Sequence, residues 1–408
     1  MFNTRTALSA LLMTVALLFT ACGNNTAESA AASPVVDEAI ADLVDLLAPA
    51  YADVAGVWPD FDPLTVPVVI PIANDGEVLG ALALNHSNPD GLGTATEVDA
   101  GTAFTSAHRI TDVVDQELFD RLQTFAFNLP LGGVDTFAIR ANVDGSLESG
   151  FGTNSPDFPA FLLHEMFHRV QFEQWTFNIA ELTQDFDSYP RTVESLTQSA
   201  LEDRALIAAV TAETPAERDA AAQHFSALRI VRQDEHGSSV TVESAQERIE
   251  GTARYLEHQF GDEASGITYH ATNFTQALQP NFQEQVAQYW FEGGRFYATG
   301  AAIHHVLDEM GIDDTSERIS AGETPAALLS EVVLDSDADI DQLVAQAIAT
   351  YDADGALAET AAEALERSAL EVPNQNVTGN GLQDADGNDI DFDAQYGHSH
   401  DHNHSHSH

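Results

Sequence analysis

Apolar residues recur at helical spacing over residues 36–47, with Asp and Glu filling the opposite face, so the pattern predicts a helix there. The texture then changes. Over 58–139 the apolar residues gather in short runs, 66–70, 78–84 and 136–139, each bounded by Gly, Pro, Asn or Asp, and these predict strands. Residues 113–127 lie between them with helical periodicity. Beyond Pro159 the helical period dominates, in 161–175, 193–210, 215–231, 244–260, 282–307, 325–334 and 340–348. A sheet followed by a run of helices predicts an α+β fold: an N-terminal mixed β-sheet layer over 35–158 and a mostly α-helical part over 159–372.

The two ends read differently. Arg5 precedes an apolar stretch over 7–19, then Thr20, Ala21 and Cys22, which is the layout of a secretory signal over 1–21. The stretch is short for a membrane span. Its end resembles the lipobox of bacterial lipoproteins, with Phe19 in place of the usual aliphatic residue. That resemblance makes Cys22, the single Cys of the chain, the lipid-carrying first residue of the mature protein. Residues 22–34 are small and polar and form a tether. The expected location is outside the cytoplasm, lipid-anchored to the cell envelope. In a diderm bacterium Gly23, which is not the Asp of inner-membrane retention, points to the outer membrane. No intramolecular disulfide is possible with one Cys, so stability rests on the core.

From about Pro373 to His408 the chain is rich in Asn, Asp and Gly, then alternates histidine with Ser, Asp or Asn. Asp384, Asp386 and Asn388 suggest the start of a calcium loop, but Asp389 and Gln395 stand where such a loop needs Gly and Glu. An acidic, unstructured tail is the expectation. His398, His400, His402, His404, His406 and His408 would bind transition metals loosely, without one rigid geometry.

Charge removes one class of function. Fifteen basic residues, all Arg, face 65 acidic ones, for a formal net charge of −50. A field of that sign repels phosphate backbones, so nucleic acid is excluded as a partner. The acidic residues are spread along the chain, as a solvated surface requires.

The chemistry gathers at residues 164–168, His-Glu-Met-Phe-His. Two imidazoles four residues apart project from one face of a helix and can grip a single Zn²⁺, with Glu165 beside them as a base toward water that the metal acidifies. Phe161, Leu162, Leu163, Phe167, Val170 and Phe172 make the helix apolar, so the histidines belong to the core. A catalytic zinc needs a third ligand. Residues 247–257 offer Glu247, Glu250 and Glu257, and Gly251 beside Glu250 would let two helices approach closely.

HEMFHRVQ followed by IEGTARYLE resembles the peptidase MA-like gluzincins, whose pattern is HExxHxxQ with a downstream Glu-Gly-x-Ala-x-Tyr helix. The resemblance spans 159–311 and includes RFYATGAAIHHVLDEMG. It implies a zincin-like fold, one catalytic Zn²⁺ on His164, His168 and Glu250, Glu165 as general base, and a peptide or protein substrate. Gln171 matches the family pattern without an assigned role. Tyr297, Tyr255 and His304 are the candidates for stabilising the oxyanion. The other expectation is a metal-scavenging surface lipoprotein on a non-catalytic zincin scaffold, with the tail as its working part.

Overall fold

The computed structural model describes residues 34–52, 58–59, 61–74, 77–101, 103–114, 125–144, 158–177, 190–265 and 294–368. The expected signal, Cys22, most of the tether and the histidine tail lie outside the described residues. Those described fall in one compact unit, Ala32–His408. None of their helices is long and apolar enough to cross a membrane.

Helix α1, Pro34–Tyr51, buries Val36, Ile40, Leu43, Val44, Leu47 and Tyr51, the stripe that the 3.6-residue period lays along one face. Each such side chain contributes roughly 1.5–3 kcal/mol on burial. That stripe seats α1 on a seven-stranded sheet built from β1 Val68–Asn74, β2 Glu77–Leu84, β3 Thr94–Glu97, β4 Ala107–Thr111, β5 Phe125–Leu131, β6 Val134–Ile139 and β7 Ala141–Asn142. The strand order is β3-β4-β2-β1-β6-β5, with β7 continuing the line of β6 along β1. Neighbours are antiparallel except along β1, where β6 and β7 run parallel, so the sheet is mixed.

Prolines explain two details of the sheet. Pro130 sits in the edge strand β5, where a missing N–H costs no ladder bond. Pro71 sits inside β1, and the parallel ladder on that side pairs Val68 and Val69, then resumes at Ile72 and Ala73. The same missing donor separates β6 from β7. The periodicity over 113–127 does not carry a helix to its end: Phe125 opens β5, because pairing with Ile139 of β6 outweighs local spacing. Residues 115–124 lie outside the described residues. Strands β3, β4, β5 and β7 were not evident from the sequence, since short, partly polar strands carry little period-two signal.

The helices follow: α2 Phe158–Gln174, α3 Val193–Val210, α4 Pro215–Gln246, a π-helical turn Glu247–Gly251, α5 Thr252–Ser265, α6 Gly294–Glu309, α7 Thr315–Ala321, α8 Pro325–Val333, α9 Ile340–Tyr351 and α10 Leu357–Ser368. The expected helices 215–231 and 244–260 are two helical segments of α4 that meet at a kink, the second running on through the π turn into α5. The kink falls at His236, where the backbone leaves helical geometry (φ −131°, ψ 38°). Alternate strand positions Val68, Ile70 and Ile72 join α1 and the helices in one large core, while Val69, Ala73 and Ala138 form a smaller one on the other sheet face. Tyr51 of α1 donates its hydroxyl to the Pro159 carbonyl (2.8 Å), tying α1 to the start of α2. The molecule is thus mixed α and β, with an N-terminal mixed sheet and a helical region, and α2 is the helix between them.

Candidate metal centre

Helix α2 is buried along almost its whole length, from Phe158 through His168 and again at Val170 and Gln171. A helix apolar on all sides has no solvent face to lose, so it lies in the interior and carries its polar residues inward with it. His164, Glu165, His168 and Gln171 are each 1% exposed or less. Polar groups at such depth require partners or a cation.

Their partners stand on the π turn and α5. Gln171 donates through Nε2 to the Ile249 carbonyl (2.9 Å), so its Oε1 faces His168 and accepts from Nδ1 (2.7 Å). His164 places Nδ1 3.2 Å from Oε2 of Glu257. With both Nδ1 atoms directed to acceptors, both Nε2 atoms face the same point. They stand 3.0 Å apart, and Oε2 of Glu250 lies 3.1 Å from that of His168 and 3.5 Å from that of His164.

Three electron-pair donors converging without a cation would repel one another. A proton is one solution: burial pushes the His164 imidazolium down, but the carboxylates of Glu250, Glu257 and Glu165 outweigh it and raise the group to about 9. A metal ion is the other. Among the described residues, His164, His168 and Glu250 are the group of metal-ligating side chains whose donor atoms all lie within 4.8 Å of one another. A tetrahedral centre with bonds of about 2.1 Å sets its ligand atoms about 3.4 Å apart, close to the separations found. The donor set of two imidazoles and one carboxylate therefore fits a metal ion.

The three glutamates open to choice in the sequence divide cleanly in space. Glu250 joins the histidines. Glu257 lies behind His164 as the acceptor of its far nitrogen, and Arg254 holds it at 2.7 Å. Beside that guanidinium, and despite burial that opposes it, the Glu257 carboxyl lies well below the usual range. Glu247 points the other way, into a buried ionic cluster. Arg229 grips it through both terminal nitrogens (2.8 Å each), and Thr299 donates to it as well (2.8 Å). Glu202 links Arg229 to Arg232, Glu243 links Arg232 to Arg295, and Asp203 closes the cluster on Arg295 (2.8 Å). This cluster, spread over α3, α4, the π turn and α6, was missed in the sequence. Its only trace there is charged residues at helical spacing, which usually signifies a wet face.

Gly251 does admit a helix, but the one it admits is α6 rather than α2. A Cβ on Gly251 would lie 2.5 Å from the Gly300 Cα. That crossing brings Tyr297 of α6 against the candidate metal-binding group. Its ring stacks parallel to His164 (centroids 6.0 Å apart, 8° between planes), and Arg254 lies 5.8 Å from the ring on its way to Glu257. Burial, then the charges of Glu250 and Glu165 and a hydrogen bond to Glu250, push the Tyr297 hydroxyl well above its ordinary range, so it is a proton donor at neutral pH. Tyr255 and His304 face elsewhere. They stack on each other (5.2 Å), and His304 meets the edge of Trp58 (6.0 Å).

Glu165 is fully buried and near enough to His164 and Tyr297 for its charge to raise both. The arrangement has the parts of a metal-assisted proton-transfer site: a three-ligand cradle, a buried carboxylate beside it, and a neutral phenol against one ligand ring. No protein-family model matches the chain, and neither the curated proteins nor the solved structures contain a significant match to it.

Proposed function

We propose that the protein is a zinc-dependent peptidase of the cell envelope, with His164, His168 and Glu250 as metal ligands and Glu165 as general base. The observation that carries this reading is the convergence of His164 Nε2, His168 Nε2 and Glu250 Oε2 at 3.0–3.5 Å, with a buried carboxylate next to them in sequence and in space. Two nitrogens and one oxygen suit zinc, and three protein ligands leave a position for water or substrate. When bound, Zn²⁺ supplies Lewis acidity, polarising a carbonyl and lowering the pKa of water toward neutrality.

The chain's own residues do the rest. Gln171 and Glu257 hold the two imidazoles with Nε2 inward. Glu165 takes the proton of the attacking water and returns it to the departing amine. Tyr297, kept protonated, donates a hydrogen bond where the oxyanion develops, a service worth roughly 3–4 kcal/mol at such sites. Apolar packing around α2 excludes bulk water and strengthens each of these interactions. The resemblance to the gluzincins favours a peptide bond over other acyl bonds, and Cys22 would tether the enzyme to a membrane by lipid. The histidine tail would collect further metal near the site.

The test compares wild type with Glu165→Gln for bound zinc and for cleavage of an unfolded protein. One equivalent of zinc in both, with cleavage lost in the variant, is expected. Zinc in both without cleavage in either would replace the peptidase by a metal-binding lipoprotein on a non-catalytic scaffold, and no zinc in either would remove the metal reading.

A further inference from the structure

A cavity of about 310 Å³ lies at the C-terminal end of α6. Its wall includes Trp58, Tyr255 and His304, all at least nine-tenths buried, and its rim includes the exposed carboxylates of Asp308 and Asp313 with Ser316 nearby. No arginine lines it, and the chain has no lysine. None of these residues belongs to the group that converges on Glu250.

The chemistry of the wall is legible from its hydrogen bonds. Thr252 gives its hydroxyl hydrogen to the Arg248 carbonyl (2.6 Å), so toward His304 it can only accept. Nε2 of His304, 2.8 Å away, is therefore the protonated nitrogen. Nδ1 is left as a lone pair, with no partner among the described residues, on a ring that is 2% exposed and lines the cavity. The ring is clamped between Tyr255 and Trp58, which fixes where that lone pair stands. Tyr255 in turn directs its hydroxyl to Asp308. Burial pushes His304 down to about 3, so the ring is an acceptor throughout the physiological range.

Aromatic faces, an acceptor nitrogen and two carboxylates are all attracted to positive charge and offer an anion nothing. The negative end of the α6 dipole adds to the same field, and the start of the short helix α7 at Thr315 and Ser316 offsets part of it. The volume is at the small end of ligand pockets, enough for one headgroup and part of a stem. We infer that this cavity binds an organic cation, an alkylammonium or guanidinium group on an apolar stem, seated against Trp58 and Tyr255 and held by Asp308, Asp313 and Nδ1 of His304. The cation reaches it either as a basic side chain of a peptide or as a free polyamine. The assignment does not depend on a metal at His164 or on peptidase activity.

The test is calorimetry on the full chain at 0.15 M salt, where diffuse attraction to an acidic surface is screened. The probes are acetyl-Ala-Arg-Ala-amide, its citrulline counterpart and spermidine. Binding of the arginine peptide or of spermidine is expected, at least tenfold weaker in Asp308→Asn/Asp313→Asn, and at least tenfold weaker for citrulline than for arginine. Asp335→Asn/Asp337→Asn removes the same charge from exposed positions away from the cavity and is expected to leave binding within twofold. Preference for the peptide or for spermidine by tenfold identifies the source, and either supports the site. Equal weakening in the two double variants, equal binding of citrulline, or no binding of either cation would overturn it.

Discussion

Gly251 and Gly300 cross backbone to backbone: a Cβ on Gly300 would stand 2.4 Å from the Glu247 carbonyl oxygen and 2.7 Å from the Gly251 Cα. The π turn that holds Glu250 and the helix that holds Tyr297 are in register because neither residue has a side chain. Gly→Ala in an exposed helix would stabilise by about 1 kcal/mol. Here the clash is with backbone, which cannot rotate away, so overpacking of about 1–3 kcal/mol prevails. Gly300→Ala is expected to lower stability in urea and to weaken zinc binding together, and unchanged affinity would separate the crossing from the metal group.

Gln171 bridges His168 on α2 to the Ile249 carbonyl on the π turn, beside Glu250. Removing it frees the ring of one proposed ligand and unties the turn that carries another. Gln171→Ala is expected to cost about 10–100-fold in zinc affinity, as loss of outer partners does elsewhere. Competition against a chelating dye measures it, with circular dichroism showing that the fold persists.

Glu247 and Glu250 stand three residues apart in the same turn and have opposite consequences. Glu250→Gln is expected to abolish stoichiometric zinc and leave the apo-protein folded. Glu247→Gln breaks a buried pair with Arg229 and is expected to lose about 3–5 kcal/mol of stability, because it leaves a guanidinium partly uncompensated. Parallel zinc assays and urea titrations check the pair. An exchange of the two phenotypes would reverse the assignment of ligand and ion pair.

His304 makes stability depend on acidity. Its folded value, about 3, lies below the ordinary 6.5, so the unfolded chain binds the extra proton between the two. The contribution is complete above about pH 6.5 and is lost as pH falls toward 3, by about 1.4 kcal/mol per pH unit. Between pH 6.5 and 5 wild type should lose about 2 kcal/mol more than His304→Gln, which keeps a donor for Thr252 and does not titrate. Denaturant unfolding at the two pH values reads the difference.

Much of this protein is local and therefore readable along the chain. The stripe of α1, the strand over 78–84, the helices over 161–175, 193–210 and 325–334 and the four-residue spacing of His164 and His168 depend on neighbours a turn or two away. The candidacy of Glu250 follows from the short pattern that resembles the gluzincins. Strand β5 was obscured because helical spacing over 113–127 competes with a partner, β6, that local periodicity does not reveal. The two helical segments on either side of His236 are legible as well, because the polar stretch between them coincides with the kink.

What only the tertiary structure decided concerns residues far apart. Glu247, Glu250 and Glu257 are chemically alike and lie within three turns, so nothing local separates an ion pair, a proposed ligand and a histidine's outer partner. Their directions are set by the π turn, by Arg229 eighteen positions earlier and by α2 some eighty positions earlier. The part played by Gln171, the buried arginine cluster and the cation-binding cavity arise the same way. Sequence determined which side chains lie on one face of one element. Burial in low dielectric, where every donor and charge must find its partner across the core, determined which of them meet.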